Sequence, residues 1–224
     1  MKRKRIDFAT FVFTGSYNAI VLEISRYYVQ ELKKFLKSRK KNIIIQSDID
    51  FIDVVPFTVR ISKDPDAEMA FDIDGCVDNY DHGNFSYVIF SIIINNKKFP
   101  LEYNNFIAEF KDTIRHEIEH VSQFNNTNKD EDLELIIKKD FLKINDIESD
   151  DESYFSYVLE YPELYAYVYG FHQKAKTMKV SMNTIIEMWL EERKHLFINE
   201  IEINTVREKF IELGKKLLPK AKWD

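Results

Sequence analysis

The first strong pattern along the chain is helical. Apolar residues recur every three or four positions between about Ser16 and Ser38, with charged residues between them, as on an amphipathic helix. Four runs rich in β-branched and aromatic residues follow and predict strands at Ile43–Ile45, Phe51–Ile61, Met69–Ile73 and Phe85–Ile94. Between these runs, Asp64–Asp66 predicts a hairpin turn and Gly75–Asn84 predicts a longer polar loop.

The remainder of the chain has an almost wholly helical pattern. A helix is predicted over 101–124, ending in an asparagine-rich run, and an acidic break follows at Asn145–Glu152. Ser149 and Glu152 are spaced as a capping box, which predicts a further helix to about Thr177. Two last helices are predicted at about Ser181–Phe197 and Asn204–Leu218, and Pro219 marks the exit from the second.

Together these elements predict an α+β fold in a single domain over residues 1–224. A small mixed or antiparallel sheet with one helix occupies 1–100, and the helix over 101–124 opens a mainly helical part over 101–224. This helix carries two neighbouring stripes. One stripe is apolar and consists of Phe106, Phe110, Ile114, Ile118 and Val121; the other consists of Thr113, His116, Glu117 and His120. We expect the first stripe to pack on the core and the second to line a site.

The amino-acid composition and charge limit the kinds of molecule that this chain is expected to bind. The net charge of −6 and the pI near 5.5 argue against nucleic acid as the main partner, and the basic run at residues 2–5 is expected to be a mobile terminus. No run approaches a transmembrane span, and a secretory signal is not expected, so we predict no membrane partner. Because Cys76 is the single cysteine, no internal disulfide can form, and an intracellular, cytoplasmic location is the expectation.

The polar stripe contains the motif His-Glu-x-x-His at residues 116–120, in a chain that has only five histidines. Positions i and i+4 lie on one face of a helix, so His116 and His120 can both reach one zinc ion. Glu117 projects toward the same side and can take a proton from zinc-bound water. Glu119 points about 200° away around the helix, so we expect it to face solvent or to pair with Arg115.

A catalytic zinc site usually has three protein ligands and an open position for water, so a third ligand is needed. The three-histidine metzincin pattern is excluded, because Gln123 and Asn126 stand where it needs Gly and His. His172 and His195 are candidates downstream. A third candidate region is the tyrosine-rich segment that follows the acidic break.

That segment, YVLEYPELYAY at 157–167, resembles the second motif of gluzincin-type zinc metallopeptidases, particularly the compact phage and bacterial forms, when it is paired with His-Glu-x-x-His. The resemblance covers the two active-site helices, about a fifth of the chain. It implies that Glu163 is the third zinc ligand. Glu160, three residues earlier on nearly the same helical face, is the alternative. Many gluzincins have an acidic residue one turn after the ligand, where this chain has Ala166 and Tyr167.

The resemblance also implies a function: hydrolysis of peptide bonds in a protein or peptide substrate, with Zn²⁺ as cofactor and Glu117 activating the zinc-bound water. An extended substrate is expected to lie along an edge strand, for which Phe85–Ile94 or its neighbour is nominated. Tyr167 and His172 are candidates for a hydrogen bond to the oxyanion of the tetrahedral intermediate.

Two alternatives stay open from the sequence. One is a non-catalytic structural or interaction protein on a zincin-like scaffold, with or without zinc. The other is a helical binding module in which the two histidines of the motif only pack. Metal content separates the second alternative from the other hypotheses, and replacement of Glu117 by Gln separates an enzyme from a scaffold.

Overall fold

A computed structural model describes residues 9–12, 17–50, 54–80, 85–127 and 153–224. The predictions for residues 2–5, 51–53, 81–84 and 145–152 lie outside the described residues. The chain divides into two compact units, Met1–Val121 and Ser122–Asp224, and each is described by itself. The first unit contains a sheet and two helices, and the second is helical, so the predicted α+β class is confirmed.

The first unit begins with strand β1 (Ala9–Val12), which the sequence patterns did not predict, and helix α1 (Tyr17–Leu36), which they did. Four strands follow: β2 (Asn42–Asp50), β3 (Val54–Lys63), β4 (Phe71–Tyr80) and β5 (Phe85–Ile94). They form a mixed sheet in the order β1-β2-β3-β5-β4, in which β1–β2 and β3–β5 are parallel pairs and β2–β3 and β4–β5 are antiparallel pairs.

This strand order corrects two predictions. The turn at Asp64–Asp66 does not join paired strands, because β5 lies between β3 and β4 and pairs with both. The predicted loop Gly75–Asn84 is wrong over its first six residues, since β4 continues to Tyr80 and pairs with β5 throughout. Its alternating polar side chains are those of a strand at the edge of a sheet, where one face stays in water.

The strand predicted at Phe85–Ile94 is confirmed, but it is interior, with β3 on one side and β4 on the other. Its neighbour β4 ends the sheet, and no other described strand pairs with the far side of β4. Of the nominated strand and its two neighbours β3 and β4, β4 therefore has the open backbone edge that pairing requires.

Helix α2 (Phe99–Thr127) matches the helix predicted over 101–124 and extends it at both ends. All five residues of the predicted apolar stripe are buried: Phe106, Phe110, Ile114, Ile118 and Val121. They share one hydrophobic cluster with α1 and with the inward-facing residues of the sheet, among them Phe57, Val59, Val88 and Phe90. The prediction that one face of this helix packs on the core is confirmed, which leaves the adjacent face for a site.

The second unit contains helices α3 (Tyr154–Leu159), α4 (Tyr161–Met178), α5 (Met182–Arg193) and α6 (Glu200–Leu217), with a short 3-10 turn after α5. The single helix predicted up to about Thr177 is wrong in one respect, since it is broken at Glu160. Pro162 explains the break, because a proline ring inside a continuous helix collides with the carbonyl four residues before it. In the described part of the chain, no helix combines the length and the apolar character that crossing a membrane requires.

Candidate functional site

The two motif histidines lie side by side on helix α2. The Nε2 atoms of His116 and His120 are 3.0 Å apart, and their ring planes cross at 78°. Two ligands held at about 2.0–2.1 Å from one tetrahedral ion have donor atoms about 3.3–3.4 Å apart, so the observed separation is close to that of a chelating pair. A hydrogen bond between the two rings would give a similar distance, so the third group of the site matters for the interpretation.

Glu117 lies against the sheet and is only 4% exposed. Its neighbour there is Gly75 of strand β4. A Cβ atom built on this glycine would come within 2.8 Å of Glu117 Oε1 and 3.1 Å of its Cγ, and within 2.8 Å of Thr113 Cγ2. Thr113 and Glu117 of the polar stripe therefore face the edge strand, and the Glu117 carboxylate lies next to the backbone of that strand.

Glu119 pairs with Arg115, which confirms one of the two arrangements predicted for it. Arg115 Nη2 and Glu119 Oε2 are 2.8 Å apart, and the two side chains are only 6% and 14% exposed. The Arg115 guanidinium also lies 4.8 Å from the ring centroid of Tyr17 in α1. Glu117 and Glu119 thus have different surroundings: Glu119 pairs with Arg115, and Glu117 lies against strand β4.

We expect Glu119→Gln to lower the free energy of unfolding by about 1–3 kcal/mol, because it removes the charge that pairs with a nearly buried guanidinium. Chemical denaturation with a fixed m-value would measure this loss. Zinc content and any catalytic rate of the folded protein should not change, since the side chain does not belong to the polar stripe. A loss of turnover in folded Glu119→Gln protein would contradict this separation of roles.

Glu163 lies in the first turn of helix α4, directly after Pro162, which occupies a position where a helix tolerates proline. Gln123, at the end of the described side chains of α2, donates a hydrogen bond from Nε2 to the Pro162 carbonyl oxygen at 3.1 Å. Gln123 follows His120 by three residues, which is less than one helical turn. The hydrogen bond lies within the second unit, where it joins Gln123 to the turn that carries Glu163.

Among the described residues, His116, His120 and Glu163 are the one group of His, Cys, Asp and Glu side chains that could together hold a metal ion. The other proposed third ligands are not part of it. Glu160 is exposed at the break between α3 and α4, His172 lies more than two turns beyond Glu163, and His195 is exposed in the 3-10 turn. Two nitrogens and one carboxylate oxygen form a donor set that suits zinc and leaves a position for water.

Tyr167 lies one turn after Glu163 on α4, and its ring packs on Phe171, Trp189 and Phe210. Burial, and to a lesser degree the nearby hydroxyls and carboxylate, raise the pKa of Tyr167 well above its usual value. Burial likewise raises the pKa of Tyr154, whose hydroxyl is hydrogen-bonded to Tyr167. Both phenols therefore stay protonated, and their hydroxyls share a hydrogen bond with each other.

Sequence reasoning missed two residues of this region. Gly75 falls in the predicted loop, although it follows a β-branched and aromatic run and lies within an alternating pattern typical of an edge strand. In the sequence, Gln123 is notable only because it stands where the metzincin pattern needs glycine. No sequence pattern predicts its hydrogen bond to the Pro162 carbonyl oxygen. Comparison of the chain with protein-family models, with curated proteins and with solved structures finds no significant match.

Proposed function

We propose that this chain is a zinc-dependent metallopeptidase with a zincin-like fold, in which His116, His120 and Glu163 hold the metal ion. The observation that carries the proposal is the His-Glu-x-x-His motif on helix α2, with its two Nε2 atoms 3.0 Å apart. Glu163 groups with these two histidines and supplies the third ligand that is needed if their short Nε2–Nε2 distance reflects binding to one metal ion. A mixed sheet with an antiparallel edge strand, followed by the motif helix and a second ligand helix, is the arrangement that the gluzincin resemblance implies.

Zinc held by such a donor set would lower the pKa of a bound water and would polarise a carbonyl group. The chain itself supplies the proton transfers. Glu117 is the proposed general base, taking one proton from the attacking water as its oxygen bonds to the scissile carbonyl carbon. The same carboxyl group then gives that proton to the amide nitrogen as the carbon–nitrogen bond breaks, so that the products are a carboxylic acid and an amine, which become a carboxylate and an ammonium group when the remaining acidic proton moves to the amine.

Strand β4 is the proposed binding surface for the substrate backbone. An extended peptide can add to an open sheet edge through main-chain hydrogen bonds, and these bonds do not depend directly on the side chains of the peptide. Glu117 lies against this strand at Gly75, so a peptide on the edge would pass beside the proposed base. Tyr167 and His172 remain the proposed donors to the oxyanion.

The proposal makes a first prediction for the unaltered protein. Purified full-length chain is expected to contain about one zinc ion, as three protein ligands require, and to cleave members of an unbiased peptide library. A strong chelator should abolish cleavage and added zinc should restore it. Elemental analysis and mass spectrometry of the cleaved library are the measurements.

Two other outcomes have definite meanings. Stoichiometric zinc without cleavage of any peptide or unfolded protein would favour the non-catalytic scaffold on the same fold. Absence of bound zinc after purification and after reconstitution would contradict the metal site, and the binding-module reading of the helices would then be preferred.

A further inference from the structure

Gly75 is not required by its backbone conformation. Its φ angle lies outside the left-handed region that favours glycine, and the strand continues regularly on both sides of it. Glycine inside a strand weakens the strand, because it has the most conformational freedom to lose and no side chain to pack. The reason for a glycine here is therefore space, and the space is filled by helix α2.

Two side chains of α2 occupy that space: Glu117 and Thr113. A Cβ atom at position 75 would be 2.8 Å from Glu117 Oε1 and from Thr113 Cγ2, which is closer than non-bonded carbon contacts allow. Thr113 is β-branched and its hydroxyl is held by the Glu109 carbonyl at 3.0 Å, so it has little freedom to move. The Glu117 carboxylate is the end of a longer side chain, and it is the group that an added methyl would displace.

The direction of the Gly75 backbone follows from the ladder between β4 and β5. The Asn95 N–H donates to the Ala70 carbonyl at 3.0 Å, and these two residues lie opposite each other one step beyond the Phe71–Ile94 pair. In an antiparallel ladder, pairs that exchange hydrogen bonds alternate with pairs that do not. The backbone groups of the even-numbered residues of β4 therefore hydrogen-bond to β5, in step with the Ala70 carbonyl. Gly75 has an odd number, so its N–H and C=O point away from β5, toward the open edge of the sheet.

We propose that Gly75 is a positioning residue for Glu117, whose carboxylate reaches the substrate-binding edge only because position 75 has no side chain. This inference rests on the proposed peptidase function. It adds that the reacting segment of an extended peptide is held by the Gly75 N–H and C=O, directly beside the base. Residues at positions 73 and 77 share this outward backbone direction but carry side chains, so position 75 sets the register of the peptide relative to Glu117.

The test uses Gly75→Ala in the full-length chain. We expect kcat to fall about 10- to 100-fold, since a displacement of about 1 Å in a catalytic group has effects of this size. KM should change by less than about threefold and zinc content should not change. Adding Thr113→Ser, which removes the second obstructing methyl and keeps the hydroxyl, should not restore kcat.

Gly214→Ala is the matched control, because its added methyl would meet the Trp223 ring in the second unit, far along the chain from the motif. This variant should have lower thermal stability and an unchanged kcat.

A second readout does not need turnover. In a Thr113→Ser background, Gly75→Ala is expected to lower the thermal midpoint by about 2–6 °C when Glu117 is present, and by less than half as much when Glu117 is replaced by Ala. Unchanged kcat in Gly75→Ala, or a thermal cost that is independent of residue 117, would overturn the inference while the peptidase proposal stood. If the unaltered protein neither binds zinc nor cleaves peptides, the proposed function fails, and the thermal measurement alone decides whether Gly75 sets the position of Glu117.

Discussion

Glu117→Gln is expected to lower kcat by about 10²- to 10⁴-fold, the usual contribution of a general acid–base group, and to leave zinc binding intact. Glutamine has nearly the same shape and can fill the same buried place against strand β4, where Glu117 is 4% exposed. It cannot accept a proton at neutral pH. Because the residue is not a proposed ligand, metal content and the thermal midpoint should stay close to those of the unaltered protein. Steady-state kinetics on a peptide identified from the library would measure the effect.

Glu119→Gln is the matched control for that experiment. It is the same chemical change two residues away, on the opposite side of the same helix, where the carboxylate pairs with Arg115 at 2.8 Å. The two variants should show opposite profiles, with activity lost and stability kept in one, and stability lost and activity kept in the other. Equal activity of Glu117→Gln and the unaltered protein would contradict the role of Glu117 as the base.

Glu163→Ala is expected to reduce zinc affinity by more than about 100-fold, because it removes one of three protein ligands. Loss of a residue that only hydrogen-bonds to a ligand typically reduces metal affinity by about 10- to 100-fold, and loss of the ligand itself should cost more. The remaining pair, His116 and His120, is expected to bind zinc weakly and without turnover. Competition with a chromophoric zinc chelator would measure the dissociation constant directly.

Glu160→Ala is the control for the third ligand. Glu160 lies three residues before Glu163, is exposed, and stands at the junction where it caps both the end of α3 and the start of α4. Its removal should leave zinc affinity within about threefold, an effect of well under 1 kcal/mol. The reverse result, in which Glu160→Ala loses zinc and Glu163→Ala keeps it, would assign the ligand to the exposed position and contradict the proposed site.

The elements that the sequence predicted best are those whose hydrophobic period extends over several turns. In helix α2 the apolar stripe from Phe106 to Val121 fixed both the helix and its buried face, and the motif residues followed on the next face. The proximity of His116 and His120 is a local consequence of that helix, since residues four apart are neighbours on any helix surface. For this reason the histidine pair could be predicted without knowledge of the tertiary structure.

The features that escaped prediction depend on contacts distant in sequence. Strand β4 is polar on its outer face and contains Gly75, so its local pattern resembles a loop, and only pairing with β5 makes it a strand. The insertion of β5 between β3 and β4 is likewise set by pairing and not by the short connection at Asp64–Asp66. The helix break at Glu160 had a local signal, Pro162, which the apolar periodicity around it outweighed.

The measurement that tests the central claim most directly is the coordination of zinc in the purified full-length protein, determined by crystallography with anomalous scattering at the zinc edge. We predict one ion bound by His116 and His120 nitrogens at about 2.0–2.1 Å and by a Glu163 carboxylate oxygen at about 2.0–2.2 Å. Glu117 should lie beside the ion and outside its ligand set. A fully occupied zinc ion bound elsewhere, or one bound by the two histidines without Glu163, would contradict the account.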